Sequence, residues 1–431
     1  MKKACVPAVL AVCVLVSSQV MGANTPSLPQ ASPADVGLSA AKIARLKPLQ
    51  EQYVKQGRLA GGTMLIARNG KVVYFETFGN IDKESGRPMP KDAIFRLYSM
   101  TKPVIAIAAL TLYEQGKFSF TEPVSKYLPE FANMKVVTDS VDAQGRHNYA
   151  LVPAQRPILI LDLLRHTSGM TNRGPLDENG KPILDMGKIV DMPLVDAVKA
   201  IAKAPLVHQP GTGFDYSPGP SIVGRLIEIW SGRPLQDYLE DTVFKPLHMV
   251  DTGFWVPQEK WDRLATLYNG NPDGTIVKAM DAAQESFKHR TPTVNGDSGD
   301  GGLVSTTMDY ARFAQMLLND GELDGVRIVS PKSVELMRSD LLGELAVYGG
   351  PLISGYGFGL TVAVNRGPAK TGNLGSAGEF HWEGAAASNF FVDPREKLLT
   401  VYMIQKRRGV DISREYKRMV YAAVDKSNAA Q

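Results

Sequence analysis

FRLYSMTKPV, residues 95–104, runs from an apolar approach into what reads as a helix start and sets Ser99 and Lys102 three apart. On a helix, i and i+3 side chains share a face, so this spacing brings an ammonium beside a hydroxyl. Pro103 suits a first turn, where N–H groups have no intrahelical acceptor to lose. The same free amides favour negative charge on an adjacent oxygen. S-x-x-K also arises by chance, so a helix-start serine followed by a solvated lysine is the plainer alternative. The rest of the chain has to separate the two.

Three other serines stand in motif-like settings. GDSGD, residues 296–300, is one residue short of the nucleophile motif of chymotrypsin-like proteases. Those enzymes need an all-β body and an earlier His and Asp, and neither RHNYA nor RHTSG provides that setting, so Ser298 is set aside. LGSAG, 374–378, carries Leu374 where a nucleophile elbow needs its first glycine. LLRHTSGM, 163–170, reads as a helix end and a glycine turn, with His166 and Ser168 making local hydrogen bonds.

Ser99 gains from a second segment, HQPGTGFDYSPGPSIVGRLIEIWSG, which puts Tyr216 after a glycine-rich turn and just before a helix pattern. A serine hydroxyl is a poor nucleophile until a base takes its proton. A phenol is a weak base by default, but a nearby ammonium favours phenolate while burial disfavours charge on the lysine, so Lys102 and Tyr216 can tune one another. The plainer reading of Tyr216 is a core tyrosine that caps a turn.

Length and composition bound the rest. The 431 residues can hold two average domains or one large α/β unit. Hydrophobic residues at 44% with 21% charged describe an ordinary globular chain. Lys2 and Lys3, an apolar run and small residues at Gly22 and Ala23 form the three regions of a secretory signal peptide, so cleavage is expected near Ala23 and the protein in the periplasm or secreted. Cys13 follows Val12 rather than a small-residue box, which argues against a lipoprotein. Both cysteines, Cys5 and Cys13, fall inside that leader, so disulfides, cysteine nucleophiles and thiolate metal sites are excluded from the mature chain. Without Lys2 and Lys3 the basic and acidic residues stand at 46 against 44, which does not suggest nucleic acid. No later stretch is apolar enough to span a membrane.

Along the chain, a Pro/Ser-rich linker at 24–37 leads to a helix at about 39–56 and then to two apolar runs around Asn69-Gly70, a hairpin signal. Helical patterns dominate from about 101 to 320, strand patterns return in YGFGLTVAV, ASNFFVDP and KLLTVYMIQ, and SREYKRMVYAAVD closes as an amphipathic helix. Strands at both ends with helices between them imply an α/β (α+β) fold: one sheet built from both termini, with an inserted, mainly helical region. The expected division is a single domain over 38–425, its sheet part at about 38–115 and 340–425 and its helical part at 116–339. A cleft should lie at their junction.

FRLYSMTKPV, LLRHTSGM, YSPGPSIVGRLIE with VFKPLHMVDTGF, GDGGLVSTTMDYARF and GEFHWEGAAASNFFVDP together resemble the serine β-lactamase and penicillin-binding-protein (transpeptidase-like) superfamily. They are most similar to the family VIII carboxylesterases related to class C β-lactamases. The resemblance spans roughly 35–410 and implies Ser99 as nucleophile, Lys102 as its helper and Tyr216 as general base or proton shuttle. It also implies a third element on a strand beside the cleft, Lys-Thr-Gly in β-lactamases and often Trp-x-Gly in the esterases. Lys370-Thr371-Gly372 supplies the first literally but lies 24 residues before Pro394, too far for one hairpin, whereas Trp382 lies 12 before it. Trp382-Glu383-Gly384 is therefore the expected strand element, with Trp382 and Gly384 against the substrate; which of the two segments lines the pocket is a structural question. The oxyanion hole would be the N–H groups of Ser99 and Ala385.

Where β-lactamases have Tyr-x-Asn this chain has Tyr216-Ser217-Pro218, and the strand lysine is missing as well. Both departures favour ester hydrolysis over β-lactams or D-Ala-D-Ala peptides. The implied activity is a serine hydrolase that cleaves carboxylic esters of small substrates through an acyl-enzyme on Ser99, its partner a small-molecule ester or amide, with no metal or organic cofactor. The rivals are a β-lactamase or carboxypeptidase-like penicillin-binding enzyme, and a non-catalytic penicillin-binding-like protein.

Overall fold

The computed structural model describes residues 25–141, 144, 147–172, 189, 192–285, 287–288, 301–408 and 413–428. The expected leader, 1–23, and the GDSGD segment with Ser298 lie outside the described residues. In chain order the elements that position the site are helix α1 (Leu46–Lys55), strands β1 (Gly61–Arg68), β2 (Lys71–Asp82) and β3 (Arg87–Pro88), helices α2 (Thr101–Glu114), α3 (Gly219–Ser231) and α4 (Thr307–Leu318), strands β4 (Tyr356–Phe358), β5 (Ala363–Asn365), β6 (Phe380–Glu383), β7 (Asn389–Asp393) and β8 (Leu398–Ile404), and helix α5 (Ser413–Ala422).

The eight strands form one sheet in the order β4-β5-β6-β7-β8-β1-β2-β3, with antiparallel pairing throughout. Both termini build it, because β8 lies against β1 from Gly62↔Ile404 to Arg68↔Leu398. Asn69 and Gly70 turn the β1–β2 hairpin at φ 53° and 74°, as a type I′ turn requires. Leu65, Ala67, Phe390, Val401 and Met403 face a core shared with α2, α3 and α4. Met64, Ile66, Phe391, Tyr402 and Ile404 face Leu46 and Tyr53 of α1 and Tyr416 and Val420 of α5. A sheet covered on both sides has no polar face, which is why β1 and β8 read as nearly unbroken apolar runs.

Helix α2 is buried from Thr101 to Leu112, so it runs through the core rather than along its surface. The helix expected over 39–56 is broken into Ala40–Ile43, capped by Ser39, and α1. The stretch read as a linker is laid on the sheet: Val72 donates to Pro29 O at 2.7 Å, Ala31 donates to Val72 O at 3.0 Å, and Leu28 is buried. Its Pro/Ser composition limits it to a single 3₁₀ turn, Ala34–Val36, without preventing packing.

The middle of the chain holds more strand than its patterns suggest. Lys135–Val141 and His147–Pro153 form an antiparallel hairpin with Tyr149 and Leu151 exposed. Among the described residues only the paired Val136 and Val152 meet the core, so the ribbon shows no sustained alternation to read.

Arg68, fully buried, ties the sheet to both ends of the described chain. Its Nε donates to Glu396 O at 3.0 Å, Nη1 to the carbonyls of Val36 and Gly37 at 3.0 Å each, and Nη2 to Glu396 Oε2 at 2.6 Å and Lys426 O at 2.8 Å. All five guanidinium hydrogens are used. Arg68→Met deprives the Glu396 carboxylate and four carbonyls of a donor, and urea unfolding should register a loss of about 3–5 kcal/mol; a change under about 1 kcal/mol would contradict this role.

A second buried pair sets the entry to β6. Burial pushes the Glu379 carboxyl up, but the Lys417 ammonium at 2.6 Å, helped by His381, outweighs it and leaves the group at about 2. A carboxyl depressed in this way stabilises the fold above its ordinary value of 4.5 and loses that contribution as pH falls towards about 2. Urea midpoints taken across that window should fall for the native chain. The slope should be reduced or reversed in Lys417→Met, because burial then pushes the carboxyl up with no ammonium to oppose it, and an unchanged profile would show that the pair is not coupled to folding.

Candidate active site

Ser99 sits in a 3₁₀ turn, Tyr98–Met100, that feeds directly into α2. The approach is a short strand, Ile94–Arg96, paired antiparallel with Val304–Thr306. Tyr98 has φ 47°, a left-handed conformation that costs a bulky residue about 1–3 kcal/mol and lasts only where the surroundings dictate it. Here they do. Leu97 N–H donates to Leu303 O at 2.9 Å, Leu303 N–H to Thr101 Oγ1 at 3.1 Å, and Tyr310 O–H to Met100 O at 2.9 Å. Two glycines close the turn from opposite sides: a Cβ on Gly301 would lie 1.7 Å from the Tyr98 carbonyl oxygen, and one on Gly384 would lie 2.2 Å from that of Leu97.

Lys102, one turn into α2, is 1% exposed, and its Nζ donates to Ser99 Oγ at 3.1 Å. The same Nζ lies 4.9 Å from the centre of the Tyr216 ring. Hydroxyl, ammonium and phenol ring thus form one cluster, as the sequence spacing predicts for the first two. Tyr216 leaves a short strand, Gly213–Asp215, that pairs in parallel with Ala346–Gly349. Its N–H donates to Gly349 O at 3.1 Å and its carbonyl accepts from Asn172 N–H at 2.9 Å, so the backbone that carries the phenol is fixed on both sides. Ser99 and Tyr216 are each half-buried, and the Tyr216 hydroxyl oxygen itself is shielded from solvent.

Strand β6 ends beside this cluster. Trp382 is 2% exposed and its ring centre lies 5.6 Å from that of Tyr216, so it backs the phenol rather than forming an open substrate wall. Gly384 donates to Ser388 O and accepts from Ala387 N–H, a turn that leaves Ala385 exposed. Among the described residues neither the Ser99 nor the Ala385 N–H meets an acceptor. Lys370-Thr371-Gly372 lies off the sheet, in and after an exposed helical turn, Pro368–Thr371. The literal Lys-Thr-Gly is therefore no part of the cleft strand. Among the described residues no group of three or more His, Cys, Asp or Glu could hold a metal ion, and no helix is long and apolar enough to cross a membrane.

The sequence model described as Beta-lactamase matches residues 46–423. The chain belongs to that family. Protein Rv1367c of Mycobacterium tuberculosis is 36% identical over 360 residues, covering 81% of this chain and 86% of that one. Esterase EstB of Burkholderia gladioli is 31% identical over 382 residues, covering 84% and 90%. Among solved structures, EstCE1, described as a hydrolase with promiscuous acyltransferase activity, superposes with a TM-score of 0.71 at 26% identity and covers 90% of this chain and 99% of its own. The α/β architecture, with its large antiparallel sheet and flanking helices, is that of the Beta-lactamase family, and the chain is a serine hydrolase.

One residue at this Beta-lactamase-family site escaped the sequence reading. His166 does not bond locally as expected: its Nδ1 lies 3.0 Å from Ser217 Oγ and receives the Ser217 N–H at 3.2 Å, 51 residues along the chain. Only Ser168 keeps a local bond, its Oγ accepting Met170 N–H at 3.3 Å. The turn that carries His166 is braced by buried Asp162, which accepts from Arg156, Arg165 and Thr167. No sequence signal joins residues 166 and 217, because each lies in a turn with no periodicity to match.

Gly301→Ala tests the turn that carries Ser99 without touching the side chains of Ser99, Lys102 or Tyr216. The added methyl overlaps the Tyr98 carbonyl and must displace Ser99, so fluorophosphonate labelling of Ser99 should slow by about 10²-fold. Labelling at the native rate would show that the turn is not set by this contact.

Proposed function

We propose that this serine hydrolase cleaves carboxylic esters of small molecules through an acyl-enzyme on Ser99. The reading rests on one observation above all: a half-buried hydroxyl within hydrogen-bond reach of a buried ammonium that also sits against the ring of a tyrosine. In the proposed cycle the Tyr216 phenolate, kept anionic by Lys102, takes the Ser99 proton while Oγ bonds to the ester carbonyl carbon. The carbonyl oxygen becomes negative and is met by the N–H groups of Ser99 and Ala385, donors fixed before the charge develops. The tetrahedral species collapses, the C–O bond to the alcohol breaks, and the phenol returns its proton to the departing alkoxide. Water then attacks the acyl-Ser99 ester by the same proton route and releases the acid.

Pro218 and Trp382 favour esters over β-lactams, since neither offers the amide or the ammonium that would orient a lactam carbonyl or bind its carboxylate. EstB bears the name of an esterase and EstCE1 that of a hydrolase with acyltransferase activity, which supports the same chemistry for this chain. An alcohol in place of water would give acyl transfer by the same steps. The pattern of Met1 to Ala23 supports export, placing the enzyme in the periplasm or outside the cell.

Hydrolysis of p-nitrophenyl butyrate tests the reading. Ser99→Ala should lose activity by a factor on the order of 10⁶, as serine nucleophile knock-outs do. Tyr216→Phe should lose kcat with little change in KM, because a missing base is felt in the transition state and not in ground-state binding. Native turnover by Ser99→Ala, or nitrocefin turnover rivalling that of the ester, would reject it.

A further inference from the structure

We propose that His166 is a positioning residue for Tyr216: its imidazole, seated on Ser217 and wedged against the phenol ring, holds that ring over the Lys102 ammonium. This rests on the reading of Tyr216 as the base in ester hydrolysis. His166 is fully buried and has φ 57°, a conformation fixed from outside, since its carbonyl accepts Asp215 N–H at 2.9 Å. A main-chain N–H can only donate, so the Ser217 N–H at 3.2 Å makes Nδ1 the unprotonated nitrogen and places the ring proton on Nε2. Among the described residues Nε2 meets no hydrogen-bond acceptor.

The imidazole centre lies 4.6 Å from that of Tyr216, with Phe214 at 5.6 Å and Phe358 at 5.4 Å closing its other sides. The phenol ring is thus held by three neighbours: Lys102 Nζ at 4.9 Å, His166 at 4.6 Å and Trp382 at 5.6 Å. Thr171 Oγ1 donates to Asp215 at 3.1 Å, and with the Asn172 bond to Tyr216 it extends the same grip to the strand before the phenol. Burial, then the charge of Lys102, keeps the imidazole neutral, so it shapes the site without adding a second cation beside the first.

The test uses the full chain and p-nitrophenyl butyrate, with rates normalised to the fraction of Ser99 titrated by a fluorophosphonate. His166→Phe keeps a ring in place but loses the Nδ1 acceptor; kcat per titrated site should fall by about 10²-fold, with KM within about twofold and the kcat–pH profile displaced. His166→Asn, whose amide oxygen can take the Ser217 N–H, should recover about tenfold of that loss. A merely structural role would lower the urea midpoint and the titrated fraction while leaving kcat per site and the pH profile native, and that result overturns the proposal. If His166→Phe does not fold, His166→Asn decides alone: a displaced pH profile with native KM supports the proposal, and native kcat with a native profile overturns it. Tyr216→Phe run in parallel separates the two levels. Loss in Tyr216→Phe beside native kinetics in the His166 variants rejects only the positioning role, whereas native turnover in Tyr216→Phe rejects the reading beneath it.

Discussion

The burial of the Lys102 ammonium between a hydroxyl and an aromatic ring is the constraint on which the site depends. A cation taken out of water costs several kcal/mol unless its surroundings answer it, and a lysine at a helix surface would turn outward instead. Lys102 cannot, because α2 is buried on every side from Thr101 to Leu112. The helix enters the core at its first turn and takes the ammonium with it. A charge trapped there favours the anionic form of whatever acid lies beside it, and Ser99 and Tyr216 are the acids at hand.

That arrangement draws on three distant parts of the chain. Ser99 and Lys102 come from the N-terminal part, Tyr216 from the middle of the chain, and Gly384 with Ala385 from the end of strand β6. The register of β8 against β1 brings the C-terminal strands to Ser99, and the Arg68 clasp holds that register at its far end. Close approach is settled by absent side chains: neither Gly301 nor Gly384 could carry a Cβ against the turn around Tyr98. The left-handed Tyr98 is therefore a product of packing between segments, and it sets Ser99 at the mouth of the helix. His166 extends the same principle to the phenol, through contacts that run across the fold rather than along it.

Much of this was legible in the sequence, for reasons that are local. The pairing of Ser99 with Lys102 follows from helix geometry alone, and the hairpin at Asn69-Gly70 from the φ values its turn needs. The choice of Trp382-Glu383-Gly384 over Lys370-Thr371-Gly372 followed from hairpin length, a distance countable on the chain. What stayed hidden depends on contacts between segments without pattern. The bond from Ser217 to His166 joins two irregular turns, Gly301 works through a carbonyl some two hundred residues away, and the ribbon of Lys135–Val141 and His147–Pro153 meets the core, among the described residues, only at Val136 and Val152. Trp382 was legible as a residue of the cleft strand but not as a buried support for Tyr216, because a sequence gives proximity to a motif and not the direction of exposure.

The most direct test is to trap the acyl group. Rapid quenching of the native chain during turnover of a slowly deacylated p-nitrophenyl ester, followed by intact-mass and peptide mass spectrometry, should show one added acyl group on the peptide containing Ser99, formed with the burst of p-nitrophenol. A burst with the acyl group on another residue, or steady turnover with no covalent adduct at any time point, would contradict the account.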